Sequence, residues 1–576
     1  MAFDDQTIFE ALYGHLHNHY GPLDDQPLYV DTLNPEWHIN YKQLRTMVCR
    51  FAHMLQQTFQ LQENRVIAIY TPNTIEYPAL LHAIVAAGGV AAGIPRDTDV
   101  KILAETLTLV EPQWVVAHPD TLDNTFEAVE LCGMPKDRIL LLDRHVRFGC
   151  DAAMYYEKSS TKRARLLPLL SLAFADNDKR GQHPPAIALD RSRIDSAAYL
   201  YFTSGTTTGS RKASIITQRA TLSSTRYQLA SIYANPIEHE RPYLNCNPLT
   251  NAGPLVFELH CLQRCGYIIY ITPTFSPEIF CHNVERFKIN GSFFGTWMAA
   301  VLANNPVVDR YDLSSCKWVV AAGAYLDPSI VDKVNKRIGT LIINQYGLTE
   351  ILSVFHCSKK STIMQGAVGQ PNPDCTVKLI DEDGQEVPPG KEGELCVKGP
   401  TVTKGYYRNL EATKAAVDAE GYLHTGDICY IDKEGAVWFV NRRKDLIKYN
   451  LHHIAPSELE AVLMSHPEVA DCCVIGIYSQ EEGTEFPQAF VVLSHCEREL
   501  EQQKQYQIAE SIRKFVDQLV PDYKRLRAGV KIVQELPRNG TGKVQRFKLR
   551  DMAQEEFDKA RKMQRLQKND LPQAKL

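Results

Sequence analysis

Residues 203–214 read TSGTTTGSRKAS, the strongest chemical signal in the chain. Small hydroxyl side chains can donate hydrogen bonds to phosphate oxygens, glycines let the backbone approach a ligand closely, and a lysine supplies a counter-charge. The residues concerned are Thr203, Ser204, Gly205, Thr206, Thr207, Thr208, Gly209 and Lys212. The stretch is not a Walker loop, because that motif places its lysine directly after a glycine. On composition alone, a phosphate-binding loop and a flexible surface loop both stay open.

The sequence on either side of this stretch predicts an α/β fold. Between residues 39 and 116, helical periodicity alternates with short apolar runs such as RVIAIYT (65–71) and PQWVVAH (112–118). This alternation is typical of strand–helix–strand units that build a largely parallel sheet. After residue 370 the pattern changes to short strands separated by the turn signals EDG and KEG, which indicates a β-rich lobe.

The length of the chain predicts more than one domain. A single hydrophobic core stops growing well below 576 residues. Beyond Arg442 the pattern becomes that of a compact α+β unit. We therefore predict an N-terminal domain over residues 1–441 and a C-terminal domain over residues 442–576.

The composition disfavours two classes of partner. Lys and Arg total 63 against 68 Asp and Glu, so the net charge of −5 provides no field that would attract nucleic acid. The most apolar window, residues 77–94, is short for a bilayer and contains His82, so we expect no membrane span. The 15 cysteines lack the doubled CxxC spacing of a zinc site, and we expect reduced thiols in an intracellular compartment.

Four further stretches carry residues suited to nucleotide chemistry. NQYGLTE (344–350) follows an apolar run, which places it at the carboxyl end of a strand, where open α/β sheets bind ligands. YLHTGDI (422–428) supplies a carboxylate, and NRRKDLIK (441–448) supplies cationic side chains. LPRNGTGKVQRFKLR (536–550) has a lysine in a glycine-flanked turn. Each stretch alone can be a structural turn or a solvated loop.

All five stretches in this order resemble the adenylate-forming superfamily, which includes the acyl- and aryl-CoA ligases. The family motifs TSGTTGxPKG, YGxTE, TGD, GRxKD and [ST]GK match them in turn, and the resemblance extends from about Thr32 to Arg550. It implies a large N-terminal domain of two α/β sheets and a β-lobe, followed by a small mobile α+β C-terminal domain. It also implies two reactions. A carboxylate attacks ATP to give an acyl-AMP and pyrophosphate, and the acyl group is then transferred to the thiol of CoA.

The resemblance assigns roles within the nucleotide site. The loop from Thr203 to Lys212 would hold the β- and γ-phosphates, Thr349 would contact the α-phosphate, and Glu350 would help to hold Mg²⁺. The nucleotide site as a whole would add Ala322, Gly323, Ala324, Asn344 at the adenine amino group, Gln345, Tyr346 at the purine face, Gly347, Leu348, Asp427 at the ribose hydroxyls and Arg442.

The C-terminal residues would divide between the two reactions. Lys543 would bridge the substrate carboxylate and the α-phosphate, so its domain must close over the site for adenylation. Lys444 matches the family hinge, about which the domain swings for thiol transfer. Lys448 and Leu451 match positions beside the thiol channel.

The chain departs from the family pattern at several positions. The opening loop contains one additional threonine, and Arg211 replaces a proline. Leu451 replaces a glycine beside the thiol channel, which makes the transfer to CoA less secure than the adenylation. Asn251 stands where a histidine often borders the acid pocket, and Gln345 where glycine is frequent. We predict a substrate pocket formed by Asn251, Phe294, Trp297 and Gln345, although an aromatic run is also ordinary core.

These observations together predict an ATP-dependent ligase for an apolar or aromatic carboxylic acid. ATP, Mg²⁺ and CoA are the expected cofactor and co-substrates. One alternative is an acyl-AMP ligase that loads a carrier-protein thiol, and another is a non-catalytic nucleotide-binding protein, which Lys543, Glu350 and Asp427 disfavour. The tripeptide Ala574, Lys575 and Leu576 resembles a peroxisomal targeting signal, so we expect peroxisomal localisation through an import receptor.

Overall fold

The structure is a computed structural model, and it describes most of the chain. The described residues are 6–14, 25–142, 167–168, 191–203, 211–234, 242–323, 326, 328–356, 367–450, 452–480, 482–494, 502–538 and 543–569. The peroxisomal tripeptide lies outside these residues, so the localisation stays a prediction.

Two seven-stranded sheets dominate the N-terminal part. Their strands are β1 Pro27–Asp31, β2 His38–Asn40, β3 Val66–Tyr70, β4 Val90–Ile94, β5 Trp114–Ala117, β6 Ile139–Leu141, β7 Leu167–Pro168, β8 Ala197–Thr203, β9 Lys212–Thr217, β10 Pro242–Asn245, β11 Ile268–Ile271, β12 Gly291–Gly295, β13 Trp318–Ala322 and β14 Leu341–Gln345. The first sheet has the order β7-β6-β5-β3-β4-β8-β9, and the second has the order β14-β13-β12-β10-β11-β1-β2. Each is parallel except for one edge pair, β8 with β9 and β1 with β2.

Burial explains why these segments form parallel strands. All residues of β3 (VIAIY) and β4 (VAAGI) are buried, because helices or the second sheet cover both faces. The helices of this part are α1 Ile8–Tyr13, α2 Tyr41–Gln57, α3 Tyr77–Ala86, α4 Val100–Val110, α5 Leu122–Leu131, α6 Gln218–Ala234, α7 Ala252–Pro254, α8 Pro277–Phe287, α9 Thr296–Asn304 and α10 Pro328–Ile338, with a π-helix at Leu255–Leu262. One apolar core cluster includes residues of both sheets, such as Ile69 and Ile269.

The later part of the chain contains shorter sheets. Its strands are β15 Phe355–His356, β16 Gln370–Pro371, β17 Thr376–Ile380, β18 Gly393–Lys398, β19 Leu423–Ile431, β20 Val437–Arg442, β21 Ile447–Tyr449, β22 His452–Ile454, β23 Val469–Ser479, β24 Thr484–Leu493 and β25 Val530–Ile532. Its helices are α11 Leu410–Ala416, α12 Pro456–Met464, α13 Gln502–Leu519 and α14 Arg546–Asn569. The sheets have the orders β17-β18-β19-β20, β21-β22 and β23-β24-β25, and β15 pairs with β16.

The chain separates into two compact units. One contains Met1–Gly323, Pro328–Val377 and Cys396–Thr425, and the other contains Ala324–Asp327, Lys378–Leu395 and Gly426–Leu576. The α/β fold class is confirmed, with two largely parallel sheets and a C-terminal α+β portion. The division between residues 441 and 442 stays a prediction. Within the described ranges, no helix is both long enough and apolar enough to cross a bilayer.

The core of the first unit encloses two histidines. His82 and His260 are at most 1% exposed, and their ring centroids lie 5.3 Å apart. The hydroxyl of Tyr13 lies 2.6 Å from His82 Nδ1, and that of Thr225 lies 3.4 Å from His260 Nδ1. Burial lowers the pKa of His260 to about 3, and burial together with the neighbouring His260 lowers the pKa of His82 well below its ordinary value. Both imidazoles are therefore neutral in the folded chain across the physiological range.

This burial predicts a loss of stability on acidification. The unfolded chain takes up protons on these histidines near pH 6.5 while the folded chain does not, so their contribution is present above that pH and falls below it. Between about pH 7.5 and 5.5, we expect His260→Gln to reduce the acid-induced loss of unfolding free energy by about 1 kcal/mol relative to the unmodified chain. Urea denaturation at several pH values measures this difference.

The matched control is His53→Gln, because His53 is exposed and its removal should leave the pH dependence unchanged. Glu258 acts in the opposite sense, since burial raises its pKa to about 8 and the folded chain holds its proton more firmly. All variants retain Glu258, so its contribution cancels in the comparison. An identical pH dependence for His260→Gln and the unmodified chain would contradict the prediction.

Candidate functional site

The carboxyl ends of β10, β12, β13 and β14 lie at one edge of the second sheet. Parallel register pairs Ala322 of β13 with both Gly295 of β12 and Gln345 of β14. The segments that follow these strands therefore emerge side by side. The strands and the segments that follow them carry predicted nucleotide residues (Ala322, Gly323, Asn344, Gln345, Tyr346, Gly347, Leu348, Thr349 and Glu350) and predicted pocket residues (Asn251, Phe294 and Trp297). The structure thus gathers the two predicted groups at one edge.

The turn after β14 has little freedom to move. A side chain at Gly347 would meet the carbonyl oxygen of Leu352 at 2.5 Å, so only glycine fits this close approach. The backbone N–H groups of Ile351 and Leu352 donate to the carbonyl of Leu348. Tyr346 is 9% exposed and packs edge-on against Phe355. The turn therefore presents Thr349 and Glu350 from a fixed backbone.

Glu350 and Lys212 both contact Tyr406, the first at its hydroxyl and the second at its ring. The Tyr406 hydroxyl donates to Glu350 Oε1 at 2.8 Å, and Lys212 Nζ lies 5.1 Å from the ring centroid. Burial, together with the charge of Glu350, raises the pKa of Tyr406, so its hydroxyl remains a donor. The backbone N–H of Thr403 donates to the Glu350 carbonyl at 2.6 Å, which ties the same segment to the turn. Tyr406 therefore links the predicted phosphate-binding cation to the predicted magnesium ligand.

Lys212 begins β9 and pairs with Thr203, the last residue of β8. The two described ends of the predicted phosphate loop are thus held side by side. The remaining predicted loop residues Ser204, Gly205, Thr206, Thr207, Thr208 and Gly209 lie outside the described residues, as do Ala324 and Leu451. Their roles stay predictions.

The chemistry of Glu350 fits a magnesium site of the kind that is completed by a substrate. Mg²⁺ usually keeps several waters and binds one or two carboxylates together with substrate phosphates. Among the described residues, no group of three or more His, Cys, Asp or Glu side chains forms a protein-only cage. Glu350 would hold such an ion, whose charge would screen the phosphates from the approaching carboxylate.

Two consecutive aromatic residues of β12, Phe293 and Phe294, lie differently with respect to the predicted acid pocket. Phe294 is 1% exposed and packs edge-on against Phe280 of α8. Its neighbour Phe293 lies on the other face of β12, where a side chain at Gly253 would come within 2.9 Å of its ring. Gly253 follows the predicted pocket residue Asn251. The structure therefore places Phe293, rather than Phe294, against the loop that carries Asn251.

Within the second unit, Asp427 and Arg442 form a pair. They are opposite residues of β19 and β20, and Arg442 Nε lies 3.0 Å from Asp427 Oδ1. Asp427 is 1% exposed, so the guanidinium fixes a carboxylate that water scarcely reaches. A carboxylate held this way can accept two hydroxyl hydrogen bonds, as the predicted ribose role requires. Lys444 follows in the short 3₁₀ turn Arg443–Asp445.

The lysine segment is anchored on both sides within this unit. Before it, Arg538 donates to Asp471 at 2.6 Å and forms a β-bridge with Val544. After it, Arg546 donates to both carboxylate oxygens of Glu460, at 2.6 and 3.0 Å. Lys543 itself is exposed between these anchors. Its position is therefore set by paired charges on either side.

The residue predicted beside the thiol channel, Lys448, is exposed on the hairpin of β21 and β22. Its backbone N–H donates to Glu485 Oε2 at 2.8 Å, which fixes the backbone of the hairpin at this residue. The structure contradicts none of the predicted roles, and those of individual residues stay predictions.

Sequence reasoning missed Tyr406, Arg546 and Glu460. Tyr406 lies in TKGYYRN, which matches none of the five motif stretches, and it meets Glu350 only through the fold. Arg546 looked like one of several basic residues after the TGK turn. The available signal was an aromatic pair beside a glycine, between two strands of the β-rich lobe.

The chain is similar to known proteins over most of its length. The family model described as AMP-binding enzyme matches residues 22–407, and that of the AMP-binding enzyme C-terminal domain matches residues 458–543. The chain is 28% identical to a probable 4-coumarate–CoA ligase 3 of Dictyostelium discoideum, over 85% of this chain and 86% of that protein. It is also 28% identical to the phenylacetyl-CoA ligase epaB of Aspergillus niger, over 92% and 95%.

The fold recurs in a solved structure of ATP-bound MatB from Rhodopseudomonas palustris. The TM-score is 0.77 at 23% identity, and the likeness covers 95% of this chain and 99% of that one. The two proteins therefore share a fold over nearly their full lengths.

The contact between Tyr406 and Glu350 predicts a metal-dependent effect on ATP binding. Tyr406→Phe keeps the ring beside Lys212 but removes the hydroxyl that orients the carboxylate. We expect ATP to bind about 5-fold more weakly in the presence of Mg²⁺, since the lost hydrogen bond contributes about 1 kcal/mol. Isothermal titration calorimetry with and without EDTA measures the two affinities.

The adjacent Tyr407→Phe is the matched control, because the Tyr407 ring packs against Arg408. It should leave both affinities unchanged. An equal loss with Mg²⁺ and with EDTA in Tyr406→Phe would show that the hydroxyl acts on the nucleotide site in general and not through the metal.

Proposed function

We propose that this chain, which belongs to the AMP-binding enzyme family and is an AMP-forming acid–thiol ligase, activates an apolar or aromatic carboxylic acid and transfers it to CoA. The observation that carries the proposal is the shared edge of β10, β12, β13 and β14. The turn with Thr349 and Glu350 follows β14, and Phe293 lies near the end of β12. Adjacent strands are about 4.8 Å apart, so these ends are separated by about 10 Å. That distance suits an acid whose carboxylate reaches the nucleotide while its body packs on aromatic side chains.

The aromatic side chains of Phe293 and Trp297 support an apolar or aromatic acid as the substrate. Phe293 packs with Phe257 at 6.0 Å between ring centroids, and the half-buried Trp297 packs edge-on against Phe275 at 5.6 Å. Rings in such pairs offer apolar faces and edges to a further ring. The names of the two similar ligases, for 4-coumarate and for phenylacetate, are consistent with this chemistry.

The first reaction forms a bond between a carboxylate oxygen and the α-phosphorus of ATP. The bond from that phosphorus to the oxygen bridging the β-phosphate breaks, and pyrophosphate leaves. Two anions must approach each other, so Lys212 and Lys543 would act by neutralising charge where it accumulates. Asp427 would hold the ribose, and Glu350 would hold the magnesium ion that accompanies the phosphates. In the second reaction, the sulfur of the CoA thiolate attacks the acyl carbon and AMP leaves.

One sequence feature favours a carrier protein, in place of CoA, as the acceptor of the acyl group. Leu451 stands where the family usually has glycine beside the thiol channel, which favours an acyl-AMP ligase that loads a carrier protein. Because both acceptors use the same first reaction, only the second reaction distinguishes them.

A panel of carboxylic acids tests the proposal. We expect apolar and aromatic acids to support pyrophosphate release, and CoA to yield the acyl-CoA. Lys543→Ala should lower acid-dependent ATP–pyrophosphate exchange by about 100-fold or more, because the charge that aligns carboxylate and phosphate is lost. Exchange of radiolabelled pyrophosphate into ATP measures the first reaction alone.

Lys548→Ala is the matched control, an exposed lysine in the first turn of α14, and it should retain full exchange. Product formation with a carrier protein but not with CoA would favour the alternative acceptor. If no acid on the panel supports exchange, the substrate class is wrong. Undiminished exchange in Lys543→Ala would remove the role given to that residue.

A further inference from the structure

The loop after β10 is tied to the first sheet by one side chain, that of Asn73. Asn73 follows β3, and its Nδ2 donates to Asn245 Oδ1 at 3.0 Å and to the Asn247 carbonyl at 2.9 Å. A longer contact of 3.3 Å reaches the carbonyl of Thr272. Its Oδ1 accepts the backbone N–H of Leu249 at 2.9 Å. Both ends of this amide therefore hold residues 245–249, the segment that leads to Asn251.

The network continues from Asn245 into the π-helix. Asn245 is fully buried, and its Nδ2 donates to Glu258 Oε2 at 2.5 Å. The Tyr243 hydroxyl donates to Glu258 Oε1 at 3.0 Å. Asn73 Oδ1 accepts from Leu249, so its Nδ2 must donate to Asn245 Oδ1. This donation sets the orientation of the Asn245 amide and turns its Nδ2 towards Glu258.

Segment 245–249 also hydrogen-bonds to β12, which carries the aromatic side chain Phe293 on the other side of the predicted pocket. Asn247 Nδ2 donates to the carbonyl of Phe293, within β12, at 2.7 Å. The Phe293 ring fills the space beside Gly253. The distance between the loop and the aromatic wall is therefore set by hydrogen bonds as well as by apolar packing.

A buried carboxyl in this position is costly to retain. Glu258 is fully buried within the π-helix Leu255–Leu262, whose other side chains are mostly apolar. An apolar residue would pack there without the cost of desolvating a carboxyl. π-helical turns are rare and frequently occur at functional sites. A buried carboxyl within a π-helix therefore indicates that Glu258 has a role beyond filling the core.

We propose that Asn73, Asn245 and Glu258 form a positioning network that sets the separation between the loop 246–251 and Phe293, and thereby the size of the acid that is accepted. The proposal rests on the proposed function, because it assigns that loop and that ring to the acid pocket. None of the three side chains needs to touch the acid. They act through the backbone of the loop and through the carbonyl of Phe293.

Asn73→Asp tests the network in the enzyme. Aspartate has the same shape but cannot donate, so the contacts to Asn245 and Asn247 become repulsive. We expect the KM for the best acid to rise about 10-fold and the preference between a larger and a smaller acid to change by a similar factor, while the KM for ATP stays within about 2-fold. Equal changes in both KM values, or an unchanged preference between the acids, would overturn the proposal.

Asn290→Asp is the matched control. Asn290 is also buried, but it precedes β12 at the opposite edge of the sheet, and its Oδ1 accepts from Trp318 Nε1 at 3.0 Å. Its substitution can lower thermal stability, but it should leave the acid preference unchanged. A shift in preference as large as that of Asn73→Asp would mean that general loosening of the fold is sufficient.

Hydrogen exchange tests the network without any substrate. In Asn73→Ala, the backbone amides of residues 246–251 should exchange about 10-fold faster than in the unmodified chain, because the acceptor for Leu249 is gone. Residues of α4 should keep their rates. Unchanged exchange in the loop, or an equal increase throughout the unit, would overturn the network. If the loop responds as expected but no acid is activated, the network stands and the proposed function fails.

Discussion

Parallel strands β10, β12, β13 and β14 hydrogen-bond in a register that sets Asn245 beside Phe293, and Ala322 beside Gln345. Every predicted acid or nucleotide contact of the second sheet follows from this alignment, because a parallel sheet delivers the carboxyl ends of neighbouring strands to one edge. A shift of one residue in any strand would turn its side chains to the opposite face. Phe293 and Phe294 illustrate the consequence, since one borders the pocket loop and the other packs in the core.

Glu350, which follows the second sheet, is linked to Lys212 of the first sheet by a residue far along the chain. Tyr406 is 56 positions from Glu350, yet its hydroxyl orients that carboxylate and its ring supports Lys212. A phenol suits both purposes, because its ring face attracts a cation and its hydroxyl donates to an anion. A magnesium ligand must keep one oxygen directed at the ion, and the hydrogen bond to the other oxygen limits its rotation.

Local pattern was sufficient to predict the α/β fold class and many of its strands. A run such as VIAIY is apolar because both faces of its strand are covered. The TGD stretch was expected to form a turn, but it lies within β19. Tyr406, Asn73 and Arg546 were beyond such reasoning, because each acts on a partner that only the fold brings near. Asn73 lies 172 positions from Asn245, and Arg546 lies 86 positions from Glu460. The contact between Phe293 and the loop was also beyond such reasoning, since which of two consecutive side chains meets the loop depends on the face of β12 that packs against it.

The hydrogen-bonded side chains of Asn73, Asn245 and Glu258 show why a polar network can fix the dimensions of a pocket better than apolar packing. Apolar contacts are nearly non-directional, so a loop held by them alone can slide by a fraction of an ångström at little cost. Amides and carboxyls in the interior must satisfy their donors and acceptors in one arrangement, and any displacement leaves a buried polar group unpaired. Asn73 extends this requirement from the first sheet to the second, because it bonds to residues at the end of β10 while its own backbone follows β3. The two sheets therefore cannot shift at this point without breaking hydrogen bonds in the loop 246–251. The buried carboxyl of Glu258 lowers the free energy of unfolding, and the network that it completes fixes the distance between the loop and Phe293.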